Sequence, residues 1–310
     1  MRLSEPPEII IAGAGAMACV LAAQVYASLN LCILDSWKDG VDHIQHKGIR
    51  VDYAGGSLQT PPIRAVTDPQ RCRGAKLALV LVKSWQTERT AHQLKQCLRP
   101  DGYAITLQNG LGNLEILGDV LGEGRAFQGI TSTGATLLGP GHVRLAGRGP
   151  IYLPSDPQLE SLGEALVGAG FDVYWGESLE TLQWKKLIVN SSINPLTALS
   201  RVTNGGLLEE LHLHTLMCAI AAETAEVARA SGVRLDLDDP AREVEIVAEA
   251  TADNRSSMLQ DIDRGAPTEI DAINGAVVRA AEAVGLHAPY NRTMWLLVRG
   301  VTTRHTGAAE

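Results

Sequence analysis

The stretch Ile9–Ala18, IIIAGAGAMA, constrains the fold more than any other part of the chain. An apolar run suited to a buried strand passes directly into Gly13-Ala14-Gly15-Ala16-Met17-Ala18, a GxGxxA turn. Gly13 permits the tight turn, Gly15 lets backbone approach a phosphate, and Ala18 lets the next helix pack close to the strand. That helix, predicted over Cys19–Ala27, points its N-terminal amides at the phosphate. A second strand leads to Asp35. A carboxylate there can accept from both hydroxyls of an adenosine ribose and repel a 2′-phosphate, which leans toward NAD over NADP. No arginine follows, only Ser36, Trp37 and then Lys38. A solvated Asp at a strand end is the alternative reading.

The first half alternates short apolar runs with helical segments, the pattern of a parallel α/β sheet. Strands are predicted at Ile9–Ala12, Leu31–Leu34, Leu77–Val82 and Ala104–Leu107. Between Ala126 and Tyr174, Gly/Pro punctuation separates runs such as His142–Leu145 and Ile151–Leu153, which reads as an antiparallel extension of the sheet. Beyond about Glu177 the β pattern ends. Helical spacing then runs through Leu182–Leu199, Leu207–Ser231, Ala241–Ala250, Arg255–Arg264, Thr268–Val284 and Arg292–Thr303. The expected fold is therefore α/β: a Rossmann-type dinucleotide-binding domain over 1–176, then an all-α domain over 177–310 for substrate binding and dimerisation.

Composition narrows the function. A net charge of -8 over 310 residues argues against a nucleic-acid surface, which needs clustered Lys and Arg. Cys19, Cys32, Cys72, Cys97 and Cys218 form no CxxC pair. They read as reduced, mostly buried thiols of a cytoplasmic protein, not as a disulfide or zinc framework, and no metal is expected. Glu5 and Glu8 precede the apolar run from Ile9 where a signal peptide wants positive charge, and Gly13 and Gly15 interrupt it. No other stretch has the apolar length of a membrane span.

The most informative segment for chemistry is Trp184–Ser200, WKKLIVNSSINPLTALS. Lys186, Asn190 and Asn194 fall at i, i+4 and i+8, on one helix face, between apolar residues suited to burial. Buried unpaired, an ammonium and two amides are costly, so they meet other protein groups or line a pocket. Pro195 disfavours helical geometry at Asn194 and predicts a break or kink there. Further on, Ser257 and Asp261 are expected to share a helix face opposite Met258 and Ile262. Glu269 admits two readings: a functional carboxylate, or the acid of a helix first turn beside a Thr268/Asp271 capping box.

At these residues the chain resembles the ketopantoate reductase family, essentially end to end. The resemblance runs through GAGAMA, VKSWQT at Val82–Thr87, QNGLGN at Gln108–Asn113 and TSTGA at Thr131–Ala135. It continues through WKKLIVNSSINPLTAL, TNGG at Thr203–Gly206, SSMLQD at Ser256–Asp261 and TEIDAING at Thr268–Gly275. It implies hydride transfer from NAD(P)H to the C2 carbonyl of ketopantoate, giving pantoate for pantothenate and coenzyme A synthesis. By resemblance Lys186 is the general acid, and Glu269 bonds the reacting oxygen or the cofactor and orients Lys186. Asn190, Asn194 and Asn204 match contacts to the substrate hydroxyl, and Ser257 a carboxylate ligand. Asn109 and Ala135 match positions near the nicotinamide and its ribose, Asn109 touching substrate as well, and Lys83 one beside the cofactor. The glycine turn, Gly13 to Met17, and Asp35 complete the cofactor set. The family usually prefers NADPH and often carries Arg after the second strand; Asp35-Ser36-Trp37 departs from that pattern.

Two further functions stand beside this one: a reductase of another branched 2-oxo acid, and a non-catalytic dinucleotide sensor. A sensor has no need of Lys186 and Glu269 facing a nicotinamide. The expected partners are a small 2-oxo acid and NADP or NAD, with neither nucleic acid nor membrane, and a homodimer is left open.

Overall fold

The computed structural model describes residues 5–176 and 178–306; Glu177, where the expected domain boundary falls, lies outside them. The chain separates into two compact units. One comprises the residues up to Gln108 together with Asn113–Leu179. The other comprises Asn109–Gly112 and the chain from Glu180 onward.

The first unit is built on a six-stranded parallel sheet. Its spatial order is Ala65–Val66, Leu31–Leu34, Ile9–Ala12, Ala75–Val80, Leu98–Thr106, Ala126–Gln128. Alternation along the central strand feeds two cores. Ile9 and Ile11 pack beneath helices Ala16–Val25 and Glu160–Gly168. Ile10 and Ala12 face Ala91 and Leu94 of helix Thr87–Cys97 and Leu117 of helix Asn113–Leu121. A strand buried on both faces is the parallel-sheet signature that the continuous IIIA run encodes.

Of the region of Gly/Pro punctuation only Ala126–Gln128 extends that sheet, and it does so in parallel; the runs beyond it belong to other sheets. Gly134–Gly139 and His142–Gly147 form an antiparallel hairpin within a separate four-stranded sheet. His142–Arg144 pair in parallel with Arg50–Asp52, which begins the hairpin partnered by Gly56–Gln59. Ile151–Pro154 lies instead in a three-stranded sheet between Val173–Gly176 and Ile130–Thr131.

The second unit is helical, with no strand among its described residues. Its spine is the helix Glu180–Ser200, which contributes Trp184, Leu187 and Ala198 to one apolar cluster and Ile188, Ile193 and Leu196 to another. Of the break or kink expected at Pro195, the break does not occur: the helix is continuous from Glu180 to Ser200. Proline lacks the N–H that the Ser191 carbonyl should accept, and the Asn274 side chain supplies a replacement, its Nδ2 donating to Ser191 O at 3.0 Å. The expected helix Leu207–Ser231 is two, Gly206–Glu209 and Leu211–Ala230, the second capped by the Glu210 carboxylate on the Leu213 N–H. The last two helices are Asn274–Ala283 and Pro289–Thr306. No helix of the described residues is long and apolar enough to cross a membrane.

Candidate active site

In the α/β unit the glycine turn has the geometry its residues imply. Gly13 sits at φ +127°, and a Cβ there would press on the Leu81–Val82 backbone at 3.2 Å. A Cβ on Gly15 would meet nothing within 4 Å, so open space faces the turn where a phosphate would approach. Gly15 caps helix Ala16–Val25 without a side-chain hydrogen bond, and no acid stands in its first turn. Its leading N–H groups are therefore suited to an anion.

Asp35 follows the strand Leu31–Leu34, and the reading of a merely solvated carboxylate does not hold. Oδ2 accepts from the Ala14 N–H at 2.6 Å and Oδ1 from the Trp37 N–H at 2.8 Å. The carboxylate thus stitches the glycine turn to the end of the second strand while keeping lone pairs for a ligand. Ala16 and Met17 pack at the edge of the core under that helix, as does Ala135 on its hairpin strand. Lys83 opens a short 3₁₀ turn, its N–H donating to Gln86 Oε1 at 3.2 Å. Nearby, Gln108 donates to Val82 O at 2.7 Å and to Thr87 Oγ1 at 2.9 Å, and Thr87 donates to Asn113 at 2.8 Å. These buried bonds join the VKSWQT and QNGLGN segments. The residues present fit a dinucleotide.

The helical unit gathers a second group. Glu269 is buried at 6% exposure, and Asn109 Nδ2 donates to its Oε2 at 3.4 Å. Those two residues are 160 positions apart, and the loop Asn109–Gly112 is clipped into place on both sides. Leu111 N–H donates to Ala272 O at 2.9 Å, and Gln183 Nε2 to Gly110 O at 3.1 Å. Gly110, at φ +84°, is required there, because a Cβ would lie 2.2 Å from Ala272 O. Glu269 is not in a helical first turn: the helix begins at Asn274, and Thr268 and Asp271 form no capping box at its start. Instead the Glu269 carbonyl accepts from the N–H groups of Ala272 and Ile273 in a turn.

Lys186 stands in the same constellation. Burial of its ammonium lowers the pKa to about 8, and the Glu269 charge opposes that shift. A lysine brought near neutrality beside a carboxylate can hold and release a proton, the property of a general acid. Asn190 is half-buried and Asn194 is 7% exposed. Neither side-chain amide hydrogen-bonds to anything among the described residues, and neither is among the fully buried polar atoms without a partner, so both amides touch solvent.

The remaining expected contacts are arranged differently. Asn204 is buried and spends Nδ2 on Thr251 Oγ1 at 2.9 Å, while its Oδ1 has no partner among the described residues. Ser257 is exposed at the first turn of helix Ser257–Asp263, and Ser256 before it caps the helix and accepts from Thr197 Oγ1 at 2.7 Å. Asp261 does not share Ser257's outward side. It is buried with Met258 and Ile262 and is paired with Arg264 at 3.1 Å. Sequence reasoning missed Gln183 as the clip on the Asn109 loop. The signal was its place three residues before Lys186, on the same helix face.

A Rossmann-type unit whose glycine turn fits a dinucleotide, joined to a helical unit carrying a lysine and a carboxylate, is the arrangement expected of a two-unit nicotinamide-dependent oxidoreductase. The profile described as "Ketopantoate reductase PanE/ApbA" matches residues 9–158, and "Ketopantoate reductase PanE/ApbA C terminal" matches 178–302. The chain is 36% identical over 296 residues to a 2-dehydropantoate 2-reductase of Archaeoglobus fulgidus, covering 94% of this chain and 96% of that one. Among solved structures, a PanE/ApbA family ketopantoate reductase from Ralstonia eutropha JMP134 superposes with a TM-score of 0.88 at 31% identity, over 96% of this chain and 99% of that one. A D-mandelate dehydrogenase solved with NADH and anilino(oxo)acetate reaches 0.89 at 25% identity, over the same shares. The chain belongs to the ketopantoate reductase family, whose members are NAD(P)H-dependent oxidoreductases.

Proposed function

We propose that the protein is a 2-dehydropantoate 2-reductase, reducing the C2 carbonyl of ketopantoate to the alcohol of pantoate. The observation that carries this reading is Lys186, brought to a pKa of about 8 by burial and accompanied by Glu269. A bound nicotinamide dinucleotide supplies the hydride; Gly13 to Met17 would cradle its pyrophosphate and Asp35 its adenosine ribose. The chain's own residues do the rest. Lys186 donates its proton to the C2 oxygen as negative charge develops there. Glu269, itself bonded by Asn109, orients the ammonium. Asn190 and Asn194 offer amides to the substrate hydroxyl, Asn204 its unpartnered Oδ1, and Ser257 a hydroxyl to the carboxylate. Lys83 and Ala135 border the cofactor.

The cofactor preference leans to NADH, because the Asp35 carboxylate would confront a 2′-phosphate. A second reading, a reductase of another 2-oxo acid, is supported by the likeness to D-mandelate dehydrogenase. Purified protein with NADH or NADPH and a panel of 2-oxo acids, followed by loss of reduced-cofactor absorbance, tests both. The proposal expects the highest kcat/KM with 2-dehydropantoate. A higher value with an aryl or unbranched 2-oxo acid replaces it with the second reading.

A further inference from the structure

The helical unit contains a cluster that the reductase reading does not use. His214 and Cys218 lie one turn apart on helix Leu211–Ala230, and Glu245 reaches them from helix Pro240–Ala250. All three are half-buried. His214 Nε2 is 2.8 Å from Glu245 Oε1 and 3.6 Å from Cys218 Sγ, and Sγ is 4.0 Å from the same Oε1. The circle through three atoms so spaced has a radius of about 2.1 Å, beside zinc–nitrogen and zinc–oxygen bonds of about 2.0–2.2 Å and zinc–sulfur bonds of about 2.3 Å. One ion therefore fits all three donors with only small adjustments.

We propose that His214, Cys218 and Glu245 form a site for a borderline-soft divalent cation of the zinc type. The donor chemistry selects the class: imidazole with thiolate suits zinc-like ions and not magnesium or calcium, which take oxygen. Cys218 binds as thiolate, its proton passing to solvent. Glu245 ligates through Oε1, while Oε2 stays bonded to Arg242 Nη1 at 2.9 Å, an outer contact of the kind that fixes a ligating carboxylate. The fourth position is left to water. Because its ligands come from two helices, the ion staples helix Leu211–Ala230 to Pro240–Ala250. None of these residues is among those assigned to the reaction, so the proposal stands apart from the reductase reading.

The test is a titration of the purified full chain with Co²⁺, read by absorption. Binding of one equivalent is expected, with a thiolate-to-cobalt charge-transfer band that Zn²⁺ removes by displacement. Cys218→Ser should abolish the band, and His214→Gln and Glu245→Gln should each weaken binding by about tenfold or more. Cys97→Ser, on a different unit, should leave the titration unchanged; circular dichroism verifies that each variant is folded. Absence of stoichiometric binding by the wild-type chain, or a band that survives Cys218→Ser, overturns the site and leaves the trio as an ion pair between two helices.

Discussion

The amide of Asn274 donates to the carbonyl oxygen of Ser191 at 3.0 Å, the acceptor that Pro195 deprives of its helical N–H. The same amide donates to Asn291 Oδ1 at 2.9 Å. Asn291 Nδ2 in turn donates to Glu223 Oε1 at 2.9 Å, and Glu223 also accepts the Tyr290 and Asn291 N–H groups at the start of helix Pro289–Thr306. A buried polar chain thus links the helix bearing Lys186, Asn190 and Asn194 to three others, Asn274–Ala283, Pro289–Thr306 and Leu211–Ala230.

The first prediction follows from that chain. Asn274→Ala leaves a buried carbonyl and Asn291 without a donor and should cost about 1–3 kcal/mol in urea unfolding. Pro195→Ala restores a backbone N–H to Ser191 O, so Asn274→Ala should cost less in that background. Equal costs in both backgrounds would show that the two residues are not coupled.

Much of this was readable from the residues, and the rest was hidden for definite reasons. The strand Ile9–Ala12 and its glycine turn are local signals, and the structure has them where the pattern puts them. The separate sheets were not readable, because His142–Arg144 take their parallel partner from Arg50–Asp52 far upstream. Local alternation marks a strand but not its neighbour. Pro195 read as a break or kink because the donor that sustains its helix lies on another element, at Asn274. The face shared by Lys186, Asn190 and Asn194 was visible as a spacing; the meeting of Asn109 with Glu269 was not, since only the folded loop at Gly110 creates it.

The pKa of Lys186 gives a pH dependence with a definite sign. Below about pH 8 the ammonium is present, and above it the proton is lost. The rate of carbonyl reduction should therefore be level below that pH and decline above it. Glu269 raises the lysine's pKa, so Glu269→Gln should move the falling limb to lower pH. A limb unmoved by Glu269→Gln would remove Glu269 from the proton-donating pair. The lysine's folded pKa lies below its unfolded value of 10.5. Its buried charge therefore opposes folding fully below about pH 8, and that cost is relieved as pH rises toward 10.5. Lys186→Met should accordingly unfold at higher urea concentration than wild type at pH 7.

Asp35 sets the cofactor prediction. NADH should serve at least as well as NADPH in steady-state kinetics. Asp35→Asn keeps an acceptor for the Ala14 N–H while removing the charge, and should lower KM for NADPH relative to NADH. A strong wild-type preference for NADPH, unchanged in Asp35→Asn, would contradict the assignment.

Asn190 and Asn194 should act on the oxo acid. Asn190→Ala and Asn194→Ala are each expected to weaken substrate binding by about 1–3 kcal/mol, read as KM, with dinucleotide affinity nearly unchanged. Equal losses of both affinities would make the pair structural.

The central claim is that Lys186 donates the proton, and its neighbour provides the control. Adjacent helix residues point about 100° apart, and only Lys186 falls four residues before Asn190. Removing a positioned general acid costs roughly 10²–10⁴-fold in rate. The decisive measurement is kcat for 2-dehydropantoate reduction in Lys186→Ala and Lys185→Ala, both verified as folded and both titrated with dinucleotide. Lys186→Ala should lose about that much turnover while still binding dinucleotide, and Lys185→Ala should stay near wild type. An inactive Lys185→Ala beside an active Lys186→Ala would contradict the account and take the roles of Asn190 and Asn194 with it.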